Sequence, residues 1–251
     1  METETKIEKY SVTLADAKKF ISSVGIINKL VNEVVFRFTA EGLNITAMDA
    51  ANIAMISFDY SKEGFLNYEA PTEEVKFGVD LTKLSAAFRR LKDGAVVIDF
   101  ADRITVNGQG KLKKKFTVPI LTDPEEERKK MPPLEFKAAV RVKVDDLSEA
   151  IEDATLAGES VMLSCEKGKF SLIAETEINS ASTDITAIEE VISPEGVIRG
   201  KYSIEYLQKM VTTKIADEAT IRFGNEYPVK IEYASENIKL SIILAPRVSN
   251  D

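Results

Sequence analysis

Histidine is absent from the 251 residues, and cysteine occurs once. The first absence removes the commonest general base, the commonest metal ligand and every Ser-His or Cys-His nucleophile. The second forbids an internal disulfide and any cysteine-based zinc site. Cys165 lies in the alternating run VMLSCEKGKF, where an inert buried thiol is the expected reading. Neither GxxxxGK[ST] nor GxGxxG occurs, and no apolar run approaches the roughly 18 residues of a membrane span. The N-terminal METETKIEKY is polar and charged, so neither a signal peptide nor an anchor is expected there. The expected location is the cytoplasm, or the nucleus of a eukaryotic cell. Metal catalysis by carboxylates stays open with 41 acidic residues, but no compact DxD or ExxE falls in a predicted cleft. No cofactor or metal site is expected, and the chain reads as a non-enzyme.

What is present describes a soluble globular protein: 44% apolar and 29% charged residues, without Gly/Ser-rich or Pro-rich tracts. The length suits one large domain or two medium ones, each with a real core. The 33 Lys and Arg against 41 Asp and Glu leave a formal charge of −8. That sum argues against nucleic-acid binding, which needs cations to neutralise phosphates. Distribution rather than the sum decides what a surface attracts.

Periodicity predicts four short amphipathic helices separated by alternating strands. Phe20, Val24, Ile27 and Val31 form the first stripe, with Asp16 as N-cap. Leu81, Leu84, Phe88 and Leu91 form the second. Leu147, Ile151 and Ala154 form the third, stopped by Gly158. Ile204, Leu207 and Met210/Val211 form the fourth, behind a Ser203 cap. Phe36 and Phe38 alternate with Arg37 and Thr39, and beyond Glu41-Gly42 the alternation resumes, a hairpin with one face in a core.

The order of elements repeats. VVFRFTAEGLNITA (34–47) lies over VMLSCEKGKFSLIA (161–174) without a gap, and DLTKLSAAFRRL lies over SIEYLQKMVTTK at a similar offset. A duplicated domain follows, each copy holding two helix-plus-strands units. PILTDPEEERKKMPPLEF carries four prolines and no sustained alternation, and reads as an exposed connector. The predicted divisions are a domain at 1–118, a connector at 119–135 and a second domain at 136–251.

MDAANIAMI (48–56), KEGFLNY (62–68), FGVDLTKLSAAFRRLK (77–92), FGNEYPVKIEY (223–233) and LAPRV (244–248) resemble segments of the archaeal and eukaryotic DNA sliding clamp family, proliferating cell nuclear antigen (PCNA). The resemblance runs from about residue 7 to Val248. It implies an α+β DNA-clamp fold, with two similar domains of two helices packed on antiparallel sheets, assembling into a closed trimeric ring around duplex DNA. Implied partners are double-stranded DNA without sequence preference, further copies of the chain or sister clamp subunits, and the clamp loader. DNA polymerase, ligase and flap nuclease are implied to attach through short peptides. No membrane partner is implied. A specialised relative serving as a scaffold in repair or damage signalling, in a mixed ring, is the alternative.

The same resemblance assigns residues. Lys18, Lys29, Lys83, Arg89, Lys209 and Lys214 are candidates to face DNA, against the reading of ordinary solvated side chains. Met48, Asn52, Ile53 and Met55 from the loop region, Leu121, Met131 and Pro132 from the connector, and Pro228, Ala245 and Pro246 are candidates for an apolar pocket binding partner peptides. The bland alternative is that Met48 and Ile53 fill the first core. The third helix carries Asp145, Asp146, Glu149, Glu152 and Asp153 with no Lys or Arg, so it suits a subunit boundary better than a DNA-facing wall. There Arg89, Arg90 and Lys92 would meet Glu149 and Asp153 of the next subunit. Two edge strands would join at that boundary: 111–119, with Lys113 and Lys115, and 178–186, with Ile178 and Asp184. Lysines that merely guard a solvent-exposed edge are the rival explanation.

Overall fold

A computed structural model describes residues 9–91, 93–121 and 131–247. In chain order the first half runs β1 (Tyr10–Leu14), α1 (Lys18–Asn28), β2 (Glu33–Thr39), β3 (Gly42–Met48), β4 (Ala54–Ser61), β5 (Asn67–Tyr68), β6 (Val75–Asp80), α2 (Leu81–Phe88), β7 (Val96–Phe100), β8 (Arg103–Gln109) and β9 (Lys113–Leu121). The second half runs β10 (Ala138–Lys143), α3 (Val144–Ala154), β11 (Ser160–Glu166), β12 (Lys169–Glu175), β13 (Ser180–Ile185), β14 (Glu189–Ile192), β15 (Ile198–Ser203), α4 (Ile204–Met210), β16 (Glu218–Phe223), β17 (Val229–Ser235) and β18 (Ile238–Leu244).

The duplication is a fact of the strands. β2 and β3 have seven residues each, and so do β11 and β12, which begin at the same offset from them. Pairing repeats as well. In the first half antiparallel ladders run β5-β1-β7-β8 and β3-β2-β6. In the second they run β14-β10-β16-β17 and β12-β11-β15.

The compact units do not follow the chain. One gathers the described residues up to Ala47, 57–121 and Glu236–Ile238. The other gathers Met48–Ile56, 131–235 and 239–247. The loop after β3 therefore folds with the second unit, although it belongs by sequence to the first repeat. Pro119–Leu121, assigned above to the connector, extend β9 as strand. Most of the connector's acidic stretch lies outside the described residues.

The helices form for the reasons their stripes give. α2 buries Leu81, Leu84 and Phe88, and Asp80 accepts a cap hydrogen bond from the Lys83 N–H at 3.0 Å. α3 buries Leu147, Ile151 and Ala154. Ala17, not Asp16, is the N-cap of α1, with Asp16 one residue ahead of it accepting from the Lys18 N–H at 3.0 Å. Two further predicted signals are not used. Gly158 is not a left-handed cap; i→i+3 bonds from Thr155, Leu156 and Ala157 back to Glu152, Asp153 and Ala154 close the helix first. The Ser203 hydroxyl makes no cap bond, although the first N–H of the helix, that of Ile204, is satisfied by the Glu159 carbonyl at 3.1 Å.

Phe77 and Phe100 stack at 4.8 Å between centroids, and Phe38 meets Phe100 edge-on at 5.1 Å. Burying a ring of this kind stabilises by about 1.5–3 kcal/mol. β2 is buried on both faces, contrary to the one-sided hairpin predicted: Arg37 is 2% exposed, its Nε 4.0 Å from Glu74. Arg37 is therefore kept from water on the face that the alternation would leave open, beside the Glu74 carboxylate.

Candidate partner-binding site and charged edges

The loop between β3 and β4 is organised around one carboxylate. Asp49, 5% exposed, accepts from the Ile53 and Ala54 N–H groups through Oδ1 at 2.9 and 2.8 Å. Its Oδ2 accepts from the Ala51 N–H at 3.3 Å and from the Tyr206 hydroxyl, on α4, at 2.7 Å. Burial raises the Asp49 pKa, but the Ala54 N–H, the Tyr206 hydroxyl and the Ile53 and Ala51 N–H groups more than offset it, leaving it below the usual carboxylate range. The Tyr206 phenol is pushed up to about 12, chiefly by that hydrogen bond to Asp49. Asn52 turns the chain with φ at 58°, a conformation its short polar side chain tolerates.

This scaffold lifts Ile53 outward, 38% exposed. The carbonyl of Ile53 accepts from the Ala245 N–H at 2.8 Å, and the Arg247 N–H reaches the Lys201 carbonyl at 2.7 Å. The C-terminal segment is thus laced beside the loop. Met48, Met131, Pro228, Ala245 and Pro246 are half-buried, and Asn52 and Pro132 are exposed, all within the second unit. The Phe136 ring meets Tyr227 edge-on at 5.9 Å, and Tyr227 also accepts from the Glu135 N–H at 3.3 Å. Pro228 is thereby held beside the start of the second repeat.

One predicted pocket member is a core residue. Met55 is 5% exposed and belongs to the core, because Ala54, Met55 and Ile56 are buried in succession on a strand covered on both faces. Leu121 ends β9 in the first unit, paired with Gly78. Sequence reasoning missed Asp49 and Tyr206 as the supports of the loop. They are 157 residues apart, and no local pattern joins them.

Each unit also carries a charged edge that bears predicted interface residues. In the first, β9 pairs with β8 from Lys113 to Pro119, and with β6 only at Ile120 and Leu121. The stretch expected to form an open edge, 111–119, is thus paired on one side only where it is strand. Lys113, Lys115 and Arg90 are exposed, and Lys114 Nζ donates to the Arg90 carbonyl at 2.5 Å, so the end of α2 adjoins the lysine run. Lys92 lies outside the described residues. In the second unit β13 pairs with β12 alone and ends its sheet. Glu149 and Asp153 are exposed on α3, and Asp153 accepts from Thr183 of β13 at 3.1 Å. An acidic helix face therefore borders that open edge. Asp184 is already engaged within its own unit by Ser171 at 2.7 Å and Lys169 at 3.2 Å. Ile178, at the turn into β13, is 88% exposed.

Of the predicted DNA-facing cations, Lys18, Lys29, Arg89 and Lys214 are exposed. Lys83 Nζ pairs with Asp80 at 2.8 Å and Lys209 Nζ with Glu205 at 2.7 Å. Lys209 also lies over the Tyr206 ring, 5.1 Å from its centroid. The Lys209 pair is exposed and weakly held, whereas Asp80 is largely covered and also caps α2. Cys165 is buried, its thiol pushed up to about 11 mainly by burial, which suits an inert core residue. Among the described residues no group of three or more His, Cys, Asp or Glu is placed to hold a metal ion, and no helix is long and apolar enough to cross a membrane.

Comparison with known proteins matches two family models: "Proliferating cell nuclear antigen, N-terminal domain" over residues 7–107, and "Proliferating cell nuclear antigen, C-terminal domain" over 130–248. The DNA polymerase sliding clamp of Thermococcus fumicolans is 30% identical over 249 residues, covering 96% of this chain and 99% of its own. Among solved structures, PCNA from Thermococcus kodakaraensis superposes with a TM-score of 0.87 at 21% identity, covering 96% of this chain and all of its own. A PCNA2–PCNA3 complex from Sulfolobus tokodaii gives 0.83 at 22% identity, covering 94% and 99%.

Proposed function

Because the chain belongs to the PCNA family of DNA polymerase sliding clamps, we propose that it closes into a trimeric ring around duplex DNA and tethers replication enzymes through the Ile53 site. It works by binding and topology, not by catalysis. The supporting observation is one chain with a basic open edge and an acidic open edge. Arg90, Lys113 and Lys115 mark the first, on β9 and the end of α2; Glu149, Asp153 and the singly paired β13 mark the second. Unlike edges join head to tail, and such an interface closes into a ring when its rotation permits. Charge complementarity selects this pairing and speeds encounter.

A ring needs no strong contact with its track. Lys18, Lys29, Lys83, Arg89, Lys209 and Lys214 supply weak phosphate attraction that centres the duplex without reading sequence. Polymerase, ligase, flap nuclease and the loader dock by peptides that insert an aliphatic residue and two aromatics beside Ile53, with Met48, Met131, Pro132, Pro228, Ala245 and Pro246 around them. Methionine side chains remould for different partners. A mixed ring with sister subunits, serving repair, is the second reading; the S. tokodaii complex of PCNA2 with PCNA3 favours it. Size-exclusion chromatography with light scattering on this chain alone separates the two. A mass of three chains supports the homomeric ring, and a monomer at micromolar concentration overturns it in favour of sister subunits.

A further inference from the structure

We propose that Tyr206 is a positioning residue of the partner site, acting through Asp49 to hold the Ile53 loop in its binding conformation. This rests on the peptide-docking reading above and adds a control to it. The Asp49 carboxylate is the only side chain hydrogen-bonded to the loop N–H groups of Ala51, Ile53 and Ala54 among the described residues. Those three bonds use Oδ1 twice and Oδ2 once, and Tyr206 takes the remaining direction at Oδ2. A charge-assisted bond at 2.7 Å therefore fixes the rotation of the carboxylate, and with it the loop. Remove the hydroxyl and Asp49 keeps its charge but loses one of four donors. The carboxylate is then fixed by three donors in place of four, and the Ile53–Ala54 peptide, which donates to Asp49 and accepts from the Ala245 N–H, is held less firmly.

Tyr206 stands on α4 three residues before Lys209, whose ammonium lies over its ring and pairs with Glu205. The phenol is thus gripped at both ends, by Lys209 on the ring face and by Asp49 at the hydroxyl. The helix holding a DNA-seeking cation is tied to the peptide-holding loop by one side chain.

A positioning role has a kinetic signature. When only a fraction of free molecules has the competent loop, the apparent association rate falls by that fraction, while the bound complex dissociates as before. Loss of a direct contact raises dissociation instead. The test measures stopped-flow binding of a labelled short peptide bearing a glutamine, an aliphatic residue and two adjacent aromatics to the full chain. Tyr206→Phe should slow association about tenfold, the scale of one hydrogen bond to a charged group, with dissociation unchanged. Asp49→Asn, which spoils the same oxygen, should slow it to a similar degree, and the double variant should be no slower than the worse single one. Unchanged association in Tyr206→Phe overturns the proposal, and so does faster dissociation or additive losses in the double variant. If Tyr206→Phe does not fold, Asp49→Asn alone decides by the same split. Ile53→Asp is run in parallel: if it leaves peptide binding intact, the docking reading has failed rather than the positioning of its loop.

Discussion

The loop after β3 and the turn after β12 occupy equivalent places in the two repeats, and they have been put to different uses. Asp49–Ile53 is caged by a buried carboxylate that draws in Tyr206, and it presents one isoleucine beside the C-terminal segment. Thr176–Asn179 instead closes on itself: the Thr176 N–H reaches the Asn179 carbonyl at 2.8 Å, and the Asn179 N–H reaches Thr176 Oγ1 at 3.1 Å. It projects Ile178 almost fully into solvent at an open sheet edge. The hairpins leading into the two turns match residue for residue in length, whereas the strands leading out differ, eight residues in β4 against six in β13. Strands answer to packing, and loops are free to carry a site. The equivalent helices diverge in charge as well. α1 begins at Lys18 and Lys19, whereas α3 begins with Asp145 and Asp146 and shows carboxylates along its exposed face.

If the two turns serve different partners, single substitutions should separate them. Ile178→Asp should have the largest effect, on assembly alone: a charge buried against a neighbouring subunit should weaken association at least about a hundredfold. Light scattering should then find mainly monomer, while peptide binding by that monomer is unchanged. Ile53→Asp is the mirror case. It should cost roughly a hundredfold in peptide affinity, as loss of a central anchor does, with the oligomer intact. Calorimetric titration of both variants reads the exchange, and either variant affecting both properties would break the contrast.

Charge reversal sharpens the comparison of helices. Arg90→Glu with Lys113→Glu should weaken the oligomer about tenfold at low ionic strength. The loss should shrink toward nothing near 1 M salt, where the Debye length is about 3 Å. Restoring association by adding Glu149→Arg in the same chain would identify the opposing face.

The last effect, on stability and not on binding, concerns the Asp49 cage. Its folded pKa is lowered, so its contribution to stability is fully present above the unfolded value of about 3.9 and is lost as pH falls through the folded pKa. Asp49→Asn should melt below the parent at pH 7, by the equivalent of about 1–3 kcal/mol, and the gap should narrow as both are acidified below pH 4. No comparable gap should follow removal of Glu177 at the counterpart turn.

Much of this was legible in the chain. The β2–β3 and β11–β12 hairpins show their duplication because period-two alternation and a two-residue turn are local signals. The stripes of Phe20, Leu84, Leu147 and Leu207 likewise mark their helices. Burial on a second strand face is not local, which is why Arg37 and Met55 were read as lying nearer the surface than they do. Helix ends also differ from their sequence signals, since the Ile204 N–H is met by the Glu159 carbonyl, which is distant in sequence, and not by a local cap. The positions Ile53, Ala245 and Pro246 were recognisable by resemblance, but the Tyr206–Asp49 support became visible only once the chain was folded.

The account's central claim is that closure, and not adhesion, keeps an acidic chain on a polyanion. The direct measurement follows the protein, after loading, on a nicked circular duplex during gel filtration and again after one restriction cut. Retention on the circle, loss on the linear product and recovery when both ends are blocked by bound protein are predicted. Equal retention on circular and open-ended DNA would contradict it.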